Sequence, residues 1–293
     1  DPGMVLVTGG SNEGLRATGR LFGIEKKEII ACKPTYLALM TYAEEFDCKI
    51  NWVPLDKELK YDLNEIKNRV SDKTSMIFVC NPNNPTGTML DPSELSEIVT
   101  YCHDQDIRLI SDEIYHGITY ERPAQTARAY GREMIVISSF SKYFSMTGWR
   151  VGYIAAPYDA IEVMNKIHQY SAICASKIAQ YAAIEAYQNA QKDVDTMTEA
   201  YFNRAKLFTA KMNAVGLKTT LPKGGLYCFS SVKDTGLSSM QFAEELIKQD
   251  QVAVVPGDVF GSAGDGYIRS CVAASMETIN QAIERIERFV GRL

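Results

Sequence analysis

A lysine amine can condense with an aldehyde, and a carboxylate can keep a proton on a heteroaromatic nitrogen. The sequence sets residues suited to both tasks just behind runs that read as β-strands. Ser139-Phe140-Ser141-Lys142 follows the apolar run 134–138, and Thr147-Gly148-Trp149-Arg150 comes shortly after. A lysine flanked by hydroxyls and followed by an arginine suits an anionic, aldehyde-bearing ligand, although a lysine alone is more often a solvated surface charge. Asp112-Glu113-Ile114-Tyr115 follows the run 107–111. A carboxylate at a buried strand end is costly without a partner, and a protonated ring nitrogen is such a partner; capping the next turn is the competing role. Asn81-Pro82-Asn83-Asn84-Pro85-Thr86-Gly87 follows the run 75–80. Its prolines and glycine make a rigid turn that presents amides to a ligand, or only a loop. Thr8-Gly9-Gly10-Ser11-Asn12 follows the run 4–8 and opens a helix. Free N–H groups at such a helix start favour a phosphate, but a structural turn needs glycine equally.

These groups need a scaffold that brings strand ends together. Short apolar runs at 4–8, 28–32, 48–53, 75–80, 107–111, 134–138 and 153–155 alternate with helical stretches, among them 12–22, 36–46 and 63–70. The runs are apolar nearly throughout, the pattern of parallel strands covered by helices on both faces. Asp91 as N-cap, Pro92 at the first helical position and Glu94 as the reciprocal acceptor predict another helix start. Leu95, Ile98, Val99 and Cys102 then share one face. Helices dominate from 159 to about 215, followed by strands near 226–230, 252–255 and 267–271 and a closing amphipathic helix. The expected fold class is α/β, a mostly parallel sheet covered by helices, with a smaller C-terminal α+β domain. The expected division is a large domain over 1–190, then a connecting helix and small domain over 191–293. Open α/β sheets bind ligands beyond the carboxyl ends of their strands, where all four constellations lie.

Composition narrows the partners. A net charge of −5 argues against non-specific nucleic-acid binding. No apolar stretch is long enough to span a bilayer, and the opening Asp1-Pro2-Gly3 is no secretory leader. The seven cysteines are scattered without a C-x-x-C pair, and the three histidines have no ligand spacing, so no metal is expected. Reduced thiols predict a cytoplasmic protein.

Taken together, Asn84-Pro85-Thr86-Gly87, Ser111-Asp112-Glu113-Ile114-Tyr115, Ser139-x-Ser141-Lys142 and Met146-Thr147-Gly148-Trp149-Arg150 closely resemble the motifs of class I/II aminotransferases, of the aspartate aminotransferase superfamily and fold type I. The resemblance continues through Gly225-Leu226-Tyr227, Val255-Pro256-Gly257 and Gly266-Tyr267-Ile268-Arg269. It implies pyridoxal 5'-phosphate as cofactor, an amino acid and a 2-oxo acid as substrates, ping-pong kinetics and a homodimer. By the same resemblance, Lys142 matches the Schiff-base lysine and Asp112 the partner of the pyridinium nitrogen. Tyr115 and Asn84 match donors to the phenolic oxygen, and Ser139, Ser141 and Arg150 match the phosphate ligands. Gly10, Ser11 and Asn12 match the helix start beneath that phosphate. Tyr36, in Pro34-Thr35-Tyr36, matches the aromatic ring stacked on the cofactor, and Arg269, with Asn84, the grip on the substrate. Relatives ordinarily carry a segment before the first strand read here. Asn81–Pro85 and Glu13-Gly14-Leu15 also look like histidinol-phosphate aminotransferases, which leaves the amino donor open. A lyase or decarboxylase on the same fold is the alternative chemistry, and a non-catalytic pyridoxal-phosphate-binding module the alternative class.

Overall fold

Seven of the apolar runs pair into a single sheet. The computed structural model describes residues 1–23 and 28–293. The strands are β1 (Val5–Thr8), β2 (Glu28–Lys33), β3 (Lys49–Pro54), β4 (Thr74–Cys80), β5 (Arg108–Asp112), β6 (Ile135–Ser139) and β7 (Gly152–Ala155), in the spatial order β1-β7-β6-β5-β4-β2-β3. Strand β7 is antiparallel to both neighbours, and every other pairing is parallel. All of β4 is buried, which accounts for a run without polar alternation.

Alternation appears instead between two apolar layers. Met76 and Phe78 pack with Leu15 of α1 (Ser11–Gly23), Leu39 of α2 (Ala38–Glu44) and Met164 of α6 (Tyr158–Ser171). Ile77 and Val79 face Ile66 of α3 (Leu63–Asn68) and Leu95, Ile98, Val99 and Cys102 of α4 (Pro92–Asp104). The latter four are the stripe read from the sequence. Helix α4 starts as expected: Asp91 is its N-cap, Pro92 its first residue, and the Asp91 N–H donates to Glu94 Oε2 at 2.6 Å.

The rest of the chain forms the α+β portion. A second sheet, antiparallel and ordered β8-β10-β9, contains β8 (Tyr227–Ser231), β9 (Val255–Pro256) and β10 (Tyr267–Cys271). It packs with α8 (Gln191–Ala214), α9 (Ser239–Asp250) and α10 (Met276–Val290), whose Ile279, Ile283, Ile286 and Phe289 are buried. Two short helices or connectors matter below: α5 (Phe140–Tyr143) after β6 and α7 (Lys177–Asn189) before α8. Most boundaries shift from the sequence reading by a residue or two, and two elements differ in a way that matters. The strand expected at 252–255 is only the two-residue β9, and the helix expected from 36 begins at Ala38, leaving Tyr36 in the loop. Among the described residues no helix is long and apolar enough to cross a membrane, and no His, Cys, Asp and Glu group could hold a metal ion.

Candidate active site

Because β1, β2, β4, β5 and β6 run the same way, the loops after them share one edge of the sheet. The reversed β7 starts at that edge, so Arg150, two positions before it, arrives there as well. Register completes the alignment: Cys80 pairs with Asp112, Asp112 with Ile137, and Gly152 with both Ser139 and Thr8. A cavity of about 240 Å³ opens there. Of the residues singled out in the sequence, Ser11, Asn12, Tyr36, Asn84, Asp112, Tyr115, Ser141, Lys142, Arg150 and Arg269 line it. Gly10 and Ser139 do not line it but shape its wall.

The Ser139 hydroxyl caps α5. It accepts from the Ser141 N–H at 3.0 Å and lies 2.8 Å from Ser141 Oγ and 3.0 Å from the Val151 carbonyl. That cap fixes the turn carrying Lys142, whose Nζ has no hydrogen-bond or ion-pair partner among the described residues. Arg150 adopts a left-handed backbone, φ 53°, and donates to the Thr147 and Gly9 carbonyls at 2.9 and 3.2 Å. Among the described residues the guanidinium thus donates only to carbonyl oxygens, and it keeps donors for an anion. Gly10 has φ 95°, and a Cβ there would lie 2.5 Å from Arg150 Nη2, so glycine is required both for conformation and for space.

Asp112 is 2% exposed, and its carboxylate accepts from the Ile114 N–H at 3.2 Å, the one hydrogen bond to that group among the described residues. Burial pushes its carboxyl up to about 7, with neighbouring Glu113 adding to the rise and the Ile114 bond opposing it. Tyr115 is buried, and desolvation holds its hydroxyl protonated, able to donate. Asn84 Oδ1 accepts from Arg269 Nη1 at 2.8 Å, which leaves the amide Nδ2 free to donate into the cavity. The Arg269 guanidinium lies over the rings of Tyr227 and Phe260, 4.0 and 4.7 Å from their centroids. The Tyr36 hydroxyl donates to Asn12 Oδ1 at 2.9 Å, tying the loop after β2 to the start of α1.

This donor set fits pyridoxal phosphate. A buried carboxylate with one weak bond suits a ring cation, and Tyr115 and Asn84 suit a phenolic oxygen. Arg150 with the glycine turn suits a phosphate, and the unpaired Lys142 amine suits an aldehyde. The raised Asp112 carboxyl also has a measurable consequence. Folding lifts its titration from the ordinary carboxylate range to about 7, and Glu113 is likewise raised to about 7 by burial. The folded state therefore binds more protons than the unfolded state between about pH 4 and 7, and stability falls as pH rises through that window. Cofactor-free protein is expected to melt at a lower temperature at pH 8 than at pH 5, and Asp112→Asn should shrink the difference. An equal pH dependence in parent and variant would remove Asp112 from this account.

Sequence reasoning missed some of the lining. Thr147, whose Oγ1 donates to the Ser141 carbonyl at 2.8 Å, and Tyr227 stood within quoted motifs but without a role. Cys80 and Ile114 also line the cavity and carry no chemical signal, being small or apolar residues at strand ends.

Comparison with known proteins agrees with this architecture. The family model described as aminotransferase class I and II matches residues 1–286. An aspartate aminotransferase of Pyrococcus abyssi is 36% identical, over 98% of this chain and 75% of its own length. An aromatic-amino-acid aminotransferase of Thermococcus litoralis is 34% identical, over 98% and 76%. The crystal structure of an aromatic aminotransferase from Pyrococcus horikoshii superposes with a TM-score of 0.92 at 35% identity, covering all of this chain and 81% of that one. The match takes in the sheet, the strand-end loops and the closing α10, and the chain belongs to the class I and II aminotransferases, enzymes that use pyridoxal phosphate.

Proposed function

We propose that the cavity moves an amino group between an L-amino acid and a 2-oxo acid, with 2-oxoglutarate as acceptor, in ping-pong fashion. The observation that carries the reading is the meeting of Lys142, Asp112 and Arg269 around one cavity. When bound, pyridoxal phosphate supplies an aldehyde that condenses with amines and a protonated ring that draws electrons from the substrate Cα. Arg150, Ser141 and the Gly10-Ser11-Asn12 turn would hold its phosphate, Tyr36 would meet its ring, and Tyr115 and Asn84 would donate to its phenolic oxygen. Asp112 keeps the ring nitrogen protonated. Arg269 grips the substrate carboxylate through its planar fork, which Asn84, Tyr227 and Phe260 hold in place. The Lys142 amine would take the proton from the substrate Cα as a general base and hold it for return in the opposite half-reaction.

The test is a panel of L-amino acids, aspartate and the aromatic amino acids included, each incubated with 2-oxoglutarate. Formation of glutamate and the matching 2-oxo acid is expected. Ammonia or carbon dioxide without glutamate would instead indicate lyase or decarboxylase chemistry.

Arg269→Lys keeps the charge but loses the fork. The Michaelis constants for both donor and acceptor should rise about tenfold or more, the effect of losing one charge-assisted hydrogen bond of about 1.5–3 kcal/mol. The absorbance of bound cofactor should not change. Unaltered constants for both substrates would take the carboxylate grip away from Arg269.

The proposal includes a homodimer. Ile178, Tyr181, Ile184 and Tyr187 of α7 are all exposed, an apolar stripe suited to a subunit contact. Sedimentation should give twice the chain mass, and a monomer at all concentrations would refute it. The same reading sets the large domain at 1–190 and the connecting helix with the small domain at 191–293, supported by the apolar core that α8, α9 and α10 share, which also takes in Tyr115 and Ile118 of the large domain.

A further inference from the structure

The roles assigned above leave one buried acid–base pair without a task. Glu13 lies in the first turn of α1, with its side chain 16% exposed, and His168 lies on α6, with its side chain 7% exposed. Glu13 Oε1 meets His168 Nδ1 at 2.5 Å, and Glu13 Oε2 accepts from the Gly9 N–H at 2.5 Å. Against a carboxylate that only accepts, Nδ1 would be the donor in this contact.

The other end of the pair is the turn that opens α1. The Gly9 carbonyl accepts from Arg150 Nη2 at 3.2 Å, and the Gly10 carbonyl accepts from Thr8 Oγ1 at 2.9 Å. Gly9 is therefore gripped at both of its polar backbone groups, at the N–H by Glu13 and at the carbonyl by Arg150. Two consecutive glycines have wide conformational freedom, and only such anchors keep the following N–H groups aimed in one direction. Glu13 also carries a risk. A carboxylate in the first turn of a helix is drawn to that helix's own free N–H groups, where it competes with and repels a bound anion. Both Glu13 oxygens are instead engaged, by Gly9 and by His168.

We propose that Glu13 and His168 are positioning residues for the phosphate seat: Glu13 fixes the Gly9 N–H, and His168 holds the Glu13 carboxylate away from the anion. The inference rests on the reading of the Gly10-Ser11-Asn12 turn as that seat. The pair links α6 to the cavity wall without either side chain lining the cavity.

Two probes separate this role from a general structural one: pyridoxal phosphate and pyridoxal, which lacks the phosphate. Each is titrated into cofactor-free protein and followed by equilibrium dialysis and absorbance. The parent chain should bind pyridoxal phosphate more tightly than pyridoxal. His168→Leu should weaken pyridoxal phosphate by about tenfold or more, as expected when a charge-assisted hydrogen bond is lost, and leave pyridoxal unchanged. His168→Gln, which keeps an N–H donor, should recover most of the loss. If His168→Leu does not fold, Glu13→Ala provides the same comparison with the same expected result. Equal losses for the two probes, or no loss for either, in a parent that prefers the phosphate would overturn this proposal alone. A parent that binds both probes equally would overturn the phosphate seat and this proposal with it.

Discussion

Lys142→Ala should lower the rate of amino transfer by about 10⁴-fold at saturating donor, the upper range for removal of a positioned acid–base group. The size follows from the place of the amine. Lys142 is carried by α5, whose start is fixed by the Ser139 hydroxyl, and its Nζ is bound to nothing else among the described residues. Among the described residues no other lysine lines the cavity, so the variant leaves no second amine of that set there to move the Cα proton. Cofactor should still be captured, because the phosphate and ring contacts come from other residues. Stopped-flow absorbance after mixing the cofactor-loaded variant with amino acid measures the step directly. Turnover within tenfold of the parent would assign the proton transfer to another group.

Asp112→Asn should reduce amino transfer by about a hundredfold or more, close to 3 kcal/mol of transition-state stabilisation. The side chain keeps its size and its acceptor for the Ile114 N–H. What would disappear is the negative charge that the proposed function sets against the cofactor's ring nitrogen, at a buried position where electrostatic effects are strong. A neutral amide leaves the nitrogen unprotonated, and the ring then draws electrons from Cα less well. Cofactor affinity should fall much less than turnover, since Arg150 and the glycine turn are untouched. Near-parental turnover would reduce Asp112 to a cap for its turn.

The sequence made the large-domain part of the site legible for a physical reason. Asn84, Asp112, Lys142 and the Gly10-Ser11-Asn12 turn each follow directly on a strongly apolar run, and parallel strands deliver such positions to one edge. Arg150 was legible as a cation after the 134–138 run but not as the lead-in to a reversed strand, because the reversal of β7 depends on pairing partners rather than on its own residues. Arg269 lies in β10, far along the chain from the other groups, and only the family resemblance tied it to them; its hydrogen bond to Asn84 joins residues 185 positions apart. Tyr36 was read inside a helix because its spacing suits one, whereas α2 starts beyond it and frees its ring for the cavity. The Glu13–His168 pair spans 155 positions, and neither periodicity nor local motif records such a contact. The cavity's Cys80 and Ile114 were given no role because a ligand's apolar neighbours look like any other core residue.

Reduction of the cofactor-loaded protein with borohydride, followed by proteolysis and peptide mapping, tests the central claim most directly. Borohydride makes the link between cofactor and amine permanent, so the label reports which lysine holds it. The account predicts a single pyridoxyl group on Lys142, within the peptide that carries Ser139-Phe140-Ser141. A label on any other lysine, or none on Lys142, would contradict it.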